Sequence, residues 1–192
     1  MEPWQATSDV RKGIGLEEKP DEELVLAARR GNVDSFMVLC HRYYPTMIAI
    51  AHAVLGDHHL SEDAAQEALA KACRRLGDLK SPSRVGAWLA AICRNEARDM
   101  LRRVPRTESL GERDVPEDIP EQNPDVEAVR HALDSMPTES RELLYLRYRN
   151  ELSYQAIADL LGISPEAVHG RLRRAKQDVH EHLERQRDRR PS

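Results

Sequence analysis

Between Val104 and Pro124 the chain reads VPRTESLGERDVPEDIPEQNP, and no other stretch constrains the fold as much. It holds four prolines, and six carboxylates against two arginines. Proline fixes φ and removes a backbone donor, and an acidic excess resists burial. The segment therefore predicts an extended linker over residues 105–124 rather than a packed element. A chain of 192 residues interrupted in this way is expected to fold as two small units, not around one core. The expected divisions are a flexible tail over 1–20, a first domain over 21–104, the linker, a second domain over 125–186 and a short tail over 187–192.

Neither unit reads as sheet. Runs of alternating Val or Ile are scarce, and apolar residues recur at helical spacing instead, so the expected class is all-α. From Asp21 a first helix places Leu24, Val25 and Ala28 on one face and stops at Gly31. A long apolar-periodic segment follows from Val33 to Leu55, with Pro45 expected to kink or split it. Ser61 reads as the N-cap of the next helix, whose Ala65, Leu69, Ala72, Cys73 and Leu76 form a core stripe. Asp63, Glu67, Ala70 and Arg74 lie opposite that stripe, with Gln66 at its edge. A loop from Gly77 to Gly86 leads into a fourth helix over Ala87–Arg103. Beyond the linker, helices are expected near 125–135, 138–149, 153–161 and 165–185.

The net charge is −4, which by itself argues against a polyanion partner. The average conceals the distribution: His169 to Gln177 carries four cations and no acid. Local patches, not net charge, decide where nucleic acid docks. No stretch approaches the roughly 20 apolar residues that span a bilayer, and the N-terminus lacks the apolar core of a signal peptide, so no membrane insertion is expected. Cys40, Cys73 and Cys93 are odd in number and widely spaced. Three mostly buried thiols in a reducing cytoplasm is the reading they favour.

The segment Leu152-Ser-Tyr-Gln-Ala-Ile-Ala-Asp-Leu-Leu-Gly-Ile-Ser-Pro-Glu-Ala-Val168 carries the most information. Ser153 caps a short helix with Ala156, Ile157 and Leu160 or Leu161 buried, and Gly162 supplies the left-handed residue that ends it. Ile163 plugs the angle between two helices. Ser164 caps the second helix, with Pro165 at its favoured first position. A helix, a tight glycine turn and a second helix make a helix-turn-helix. On the second helix Val168, Leu172, Ala175 and Val179 face inward, while His169, Gly170, Arg173, Arg174 and Gln177 project outward. Such a division suits a recognition helix, with cations for phosphates and Arg forks for base edges. An ordinary solvated basic face is the plainer alternative, and the capped turn at this spacing argues against it.

In the first domain, Ala91, Arg94, Asn95, Arg98 and Arg102 fall on one side of the fourth helix, a second candidate nucleic-acid surface. Here the chain resembles a known family. Asp21-Glu-Glu-Leu-Val, Ser61-Glu-Asp-Ala-Ala-Gln-Glu-Ala-Leu69, Trp88-Leu-Ala-Ala-Ile-Cys-Arg-Asn95 and Arg98-Asp-Met-Leu-Arg-Arg103 look like sigma domain two. Leu133-Asp-Ser-Met-Pro137, Arg141, Leu146-Arg-Tyr148 and the helix-turn-helix look like sigma domain four. With no central domain between them, the chain resembles the extracytoplasmic-function sigma factors.

That resemblance implies a set of roles. Asp63, Gln66 and Glu67 would meet the clamp helices of the polymerase β′ subunit, and the β flap would be a further contact. Arg84, Trp88, Arg94, Asn95, Arg98 and Arg102 would read the −10 element as melted strand. His169, Gly170, Arg171, Arg173 and Arg174 would read the −35 element as duplex. An anti-sigma factor joins core RNA polymerase and promoter DNA among the implied partners, and no cofactor, metal or catalysis is implied. The acidic linker would thread toward the polymerase active-site channel. About 20 extended residues reach roughly 70 Å, and sites one and a half helical turns apart on DNA need about 50 Å. The chain departs from the family's pattern at Leu69, Ala156, Ala167, His169 and Gly170, the last three on the promoter-reading side.

Two other classes compete. A helix-turn-helix regulator with a sensory helical domain explains the C-terminal motif but not the polar face of the third helix. An enzyme would need His52, His58 and His59 beside Asp57 and Asp63 to form a metal cluster. These histidines flank a Gly-Asp turn and read more simply as surface residues.

Overall fold

The computed structural model describes residues 15–103 and 124–188. Every regular element among them is helical. The linker expected over 105–124 falls almost entirely outside the described residues, as do 1–14 of the N-terminal tail. Residues 15–20, expected in that tail, are instead fixed. Leu16 is 8% exposed and joins the core, and Arg42 donates to the carbonyls of Glu17 at 2.8 Å and Lys19 at 3.0 Å.

Four helices build the N-terminal half: α1 (Asp21–Arg29), α2 (Val33–Leu55), α3 (His58–Arg75) and α4 (Val85–Arg103). Asn32 caps α2 by accepting from the Ser35 amide at 2.8 Å, and Gly56 ends it at φ 70°. Pro45 neither splits nor ends α2: its side chain is exposed, and the backbone bond it cannot make is given up on the side away from the core. The N-cap of α3 is Asp57, not Ser61. Asp57 accepts from the Leu60 amide at 2.8 Å, while Ser61 lies inside the first turn, buried, with its hydroxyl on the Asp57 carbonyl. The loop after α3 is wound into short 3₁₀ turns at Leu76–Asp78 and Pro82–Arg84, so α4 starts two residues before the expected Ala87. The start of α4 lies against Tyr43, whose ring would stand 2.7 Å from a Cβ at Gly86. Only glycine permits that approach.

The core of this half buries Leu24, Leu39, Met47, Ile50 and Leu89, with alanines between them. Cys93 is part of it, its thiol donating to the Met47 carbonyl at 3.2 Å and pushed up to about 12 by burial. Cys40 is half-buried and Cys73 exposed, so the expectation of mostly buried thiols fails at Cys73.

The C-terminal half holds α5 (Pro124–Asp134), α6 (Thr138–Leu144), α7 (Tyr154–Leu161) and α8 (Pro165–Asp188). The helix expected over 138–149 changes pitch: after Leu144 it widens into a π turn over Tyr145–Arg149. Arg147 then donates to the Leu152 carbonyl at 2.8 Å, and Glu151 takes φ 54°, turning the chain into α7. Leu143, Leu146, Ile157, Val168 and Leu172 fill a small core. Against expectation Ala156 is exposed, and Ala158 is buried in its place because α7 turns that side toward α4.

The two halves pack together. Helix α2 meets α6 and the π turn, and α4 meets α7. Between them lies a cleft of about 800 Å³, edged by Arg42, Tyr43 and Arg84 on one side and by Leu160, Gly162 and Ile163 on the other.

Candidate nucleic-acid and polymerase interface

Three polar faces stand out, and each follows from local sequence. On α3, Ala64, Ala65, Ala68 and Ala72 are buried, which turns Asp63, Gln66 and Glu67 out to solvent. All three are exposed and make no hydrogen bond or ion pair among the described residues. Packing gives these side chains nothing to do.

On α4 the residues Ala91, Asn95 and Arg98 are exposed, and Arg102 continues the stripe with an ion pair to Asp99. Arg84 is exposed in the 3₁₀ turn at the foot of the helix, at the edge of the cleft. Trp88 is half-buried and packs on the core. Arg94 does not share the exposed stripe on which it was expected. It turns toward the C-terminal half and grips Glu142, its Nε donating to both carboxylate oxygens at 2.9 and 3.0 Å and Nη2 to one at 2.6 Å.

The third face belongs to α8. Ser153 caps α7 through the Ala156 amide at 3.1 Å, and Gly162 ends it at φ 68°. Ser164 caps α8 through the Ala167 amide at 3.2 Å. Glu166, in the first turn of α8, is held below the usual carboxylate range by its own backbone N–H and then by the Ser164 hydroxyl. Val168, Leu172 and Ala175 are buried, leaving His169, Arg171, Arg173 and Arg174 exposed and Gly170 half-buried. A Cβ on Gly170 would touch nothing, so no close approach requires glycine there.

Sequence reasoning missed one feature of this face. Tyr154, at the start of α7, stands edge-on to His169 with ring centroids 5.6 Å apart, and the Arg147 guanidinium lies 5.1 Å from the centre of the same ring. The tyrosine thus joins the π turn to the recognition helix. Its position immediately after the Ser153 cap was the available signal.

His52 also departs from expectation. It is half-buried, not a surface residue, with Tyr145 of the C-terminal half edge-on at 5.2 Å. Its Nδ1 is buried with no hydrogen-bond partner. Burial first, then the Arg149 cation and His58, hold the imidazole below its ordinary range, against the pull of Asp57. No group of His, Cys, Asp and Glu among the described residues is arranged to hold a metal ion.

Residues 39–107 match the family model for sigma-70 region 2, and residues 126–179 match that for sigma-70 region 4. The probable RNA polymerase sigma factor RfaY of Xanthomonas campestris pv. campestris is 41% identical over 150 residues, 72% of this chain. The chain spans 38% of that protein's length. The ECF RNA polymerase sigma factor SigE of Mycolicibacterium smegmatis is 28% identical over 193 residues, 94% of this chain and 71% of SigE. Among solved structures, that of CnrH in complex with the cytosolic domain of CnrY matches with a TM-score of 0.62 at 28% identity, over 86% of this chain and 98% of that one.

The chain belongs to the extracytoplasmic-function sigma factors of RNA polymerase.

In this sigma factor the region 2 match runs from within α2 through α4 and the region 4 match from within α5 into α8, and family members direct transcription initiation at promoters. The region 2 match contains all of α3 and α4, and the region 4 match ends on α8 just past Arg173 and Arg174. No helix among the described residues is long and apolar enough to cross a membrane.

Proposed function

We propose that the chain binds core RNA polymerase and gives it promoter specificity, reading two promoter elements with its two halves and catalysing nothing itself. Asp63, Gln66 and Glu67 of α3 meet the β′ clamp helices. Arg84, Asn95, Arg98 and Arg102, with Trp88 in the first turn of α4, hold the melted −10 strand, and Arg94 joins them once it is released from Glu142. His169, Arg171, Arg173 and Arg174 enter the major groove of the −35 duplex beside Gly170.

The β flap takes the apolar groove of about 620 Å³ between α5, the π turn and α8, where Val129, Leu133, Tyr148 and Val179 suit the apolar side of a docking helix. The two reading units follow the expected domain limits, 21–104 and 125–186, with residues 15–20 added to the first. The chain works in the cytoplasm, where its DNA is. CnrH is solved in complex with the cytosolic domain of CnrY, and this sigma factor likewise takes a protein partner, an anti-sigma factor.

One observation carries the reading: a capped helix-turn-helix with an unpaired basic face shares a chain with a second helical unit whose α3 presents an unpaired polar face. A simple DNA-bound regulator uses only the first. Run-off transcription with sigma-free core polymerase and purified chain tests it. A promoter-specific transcript is expected, with loss of core binding in the triple variant D63A/Q66A/E67A at unchanged circular dichroism. An absent transcript alongside ordinary DNA binding would make the chain a regulator instead.

A further inference from the structure

Arg94 stands apart from the other basic side chains of α4. Its side chain is 19% exposed and that of Glu142 is 7% exposed, and three short contacts join them across the seam between the halves. A carboxylate at that depth is retained only with a partner, because an uncompensated buried charge is strongly unfavourable. Around the pair the seam is closed by the His52–Tyr145 ring contact and by α7 against α4.

The same seam brings together parts that must separate on a promoter. A Cβ at Gly162, in the turn of the helix-turn-helix, would lie 3.4 Å from Nη2 of Arg84. Promoter elements one and a half helical turns apart require about 50 Å between the reading units. The arrangement seen here cannot engage both.

We propose that Glu142 is an internal counter-anion that occupies Arg94 in place of nucleic-acid phosphate, so that the packed arrangement is a latched, self-inhibited form of the sigma factor. The chemistry supports exchange. A guanidinium meets carboxylate and phosphate with the same two-pronged geometry, so Arg94 passes from one anion to the other without being left bare. Glu142, freed when the halves part, returns to water. A buried ion pair contributes little net stability over an apolar substitute yet resists loss of either partner. That combination suits a latch that holds until a competing anion or the polymerase surface opens it. The inhibitory consequence rests on the reading of α4 as a nucleic-acid face; the latch itself does not.

Small-angle X-ray scattering of the full chain tests the latch without DNA. Wild type is expected to scatter as a compact particle, Glu142→Gln and Arg94→Glu as extended ones, and the charge-swapped R94E/E142R to return toward wild type. Should Glu142→Gln lose helicity by circular dichroism, Arg94→Gln, which alters the less buried partner, replaces it. Core polymerase should bind Glu142→Gln about three- to tenfold more tightly, because less of the chain is held in an incompetent form. Compact scattering by the single variants, or an extended swap, would overturn the latch. Opened variants that bind core no better would overturn the inhibition, and a failure of Asn95→Ala or Arg98→Ala to affect the −10 element would instead strike the reading of α4.

Discussion

Alanine is what lets the N-terminal half pack: Ala49, Ala51, Ala53, Ala64, Ala65, Ala68, Ala72, Ala90 and Ala97 are all buried there, and they let α2, α3 and α4 lie close. The C-terminal half buries fewer alanines and relies on Leu143, Leu146, Ile157, Val168 and Leu172. Its helices α6 and α7 are 7 and 8 residues long, below the length at which a helix is stable alone. The boundaries from α6 to α8 carry devices: the π turn, the positive φ at Glu151, the Ser153 and Ser164 caps and the left-handed Gly162. Long helices with interlocking faces tolerate the loss of one terminus. A unit whose two middle helices are this short depends on their corners, even beside the long α8, and here also on the neighbour it leans against.

This contrast can be broken at several points. The largest effect is expected from Ile157→Ala, which empties a fully buried site in the smaller core and should cost about 3 kcal/mol. Hydrogen exchange should then show α5–α8 opening while α2–α4 stay protected; uniform loss of protection would mean that the halves do not differ. Arg173→Ala should weaken −35 binding by about 2 kcal/mol if its fork meets a base edge, and less if it meets phosphate. Binding measured across a salt series separates the two cases, and circular dichroism should not change. Ser153→Ala should cost about 1 kcal/mol, read as faster exchange in α7. Removing the Asn32 cap of the long α2 should leave the rest of that helix protected.

The smallest effect expected is a pH dependence at the seam. His52 has its pKa lowered in the packed form, so that form prefers the neutral imidazole. Its contribution is full above the ordinary value of 6.5 and drains away as pH falls below it. Arg149, His58 and Asp57 face the same ring, and Arg149 adds to the cost of protonation. Scattering of wild type should therefore show more of the extended form on going from about pH 7.5 to about pH 5.5, and His52→Gln should flatten the change. An unchanged profile in His52→Gln would assign the effect to another group.

Much of the frame was legible in the sequence because it rests on local rules. The helix-turn-helix could be placed to the residue, since Ser153, Gly162, Ser164 and Pro165 each act within one turn of themselves. The periodicity of α3 exposed Asp63, Gln66 and Glu67 for the same reason. Ser61 reads as a cap by its residue type, but Asp57, four residues earlier, is an equally good one, and only the extended backbone at Asp57 decides between them. The π turn has no sequence signature of its own. Helical spacing alone puts Arg94 on the outer stripe, because it says nothing about a carboxylate 48 positions away. Ala158 was missed on similar grounds, since its burial comes from α4 and not from α7's own pattern.

The proposed function needs two reading faces used at once by a polymerase-bound chain. Footprinting of the reconstituted holoenzyme on its promoter tests this most directly, with nuclease protection upstream and permanganate reactivity of thymines downstream. The prediction is an upstream footprint lost with Arg173→Ala and weak downstream opening lost with Asn95→Ala, each surviving the other substitution. The opening should be weak because Trp88, in the first turn of α4, is half-buried and packed on the core, which leaves little ring surface for stacking flipped bases. An upstream footprint made by the chain without core polymerase, with no downstream opening when core is added, would contradict the account.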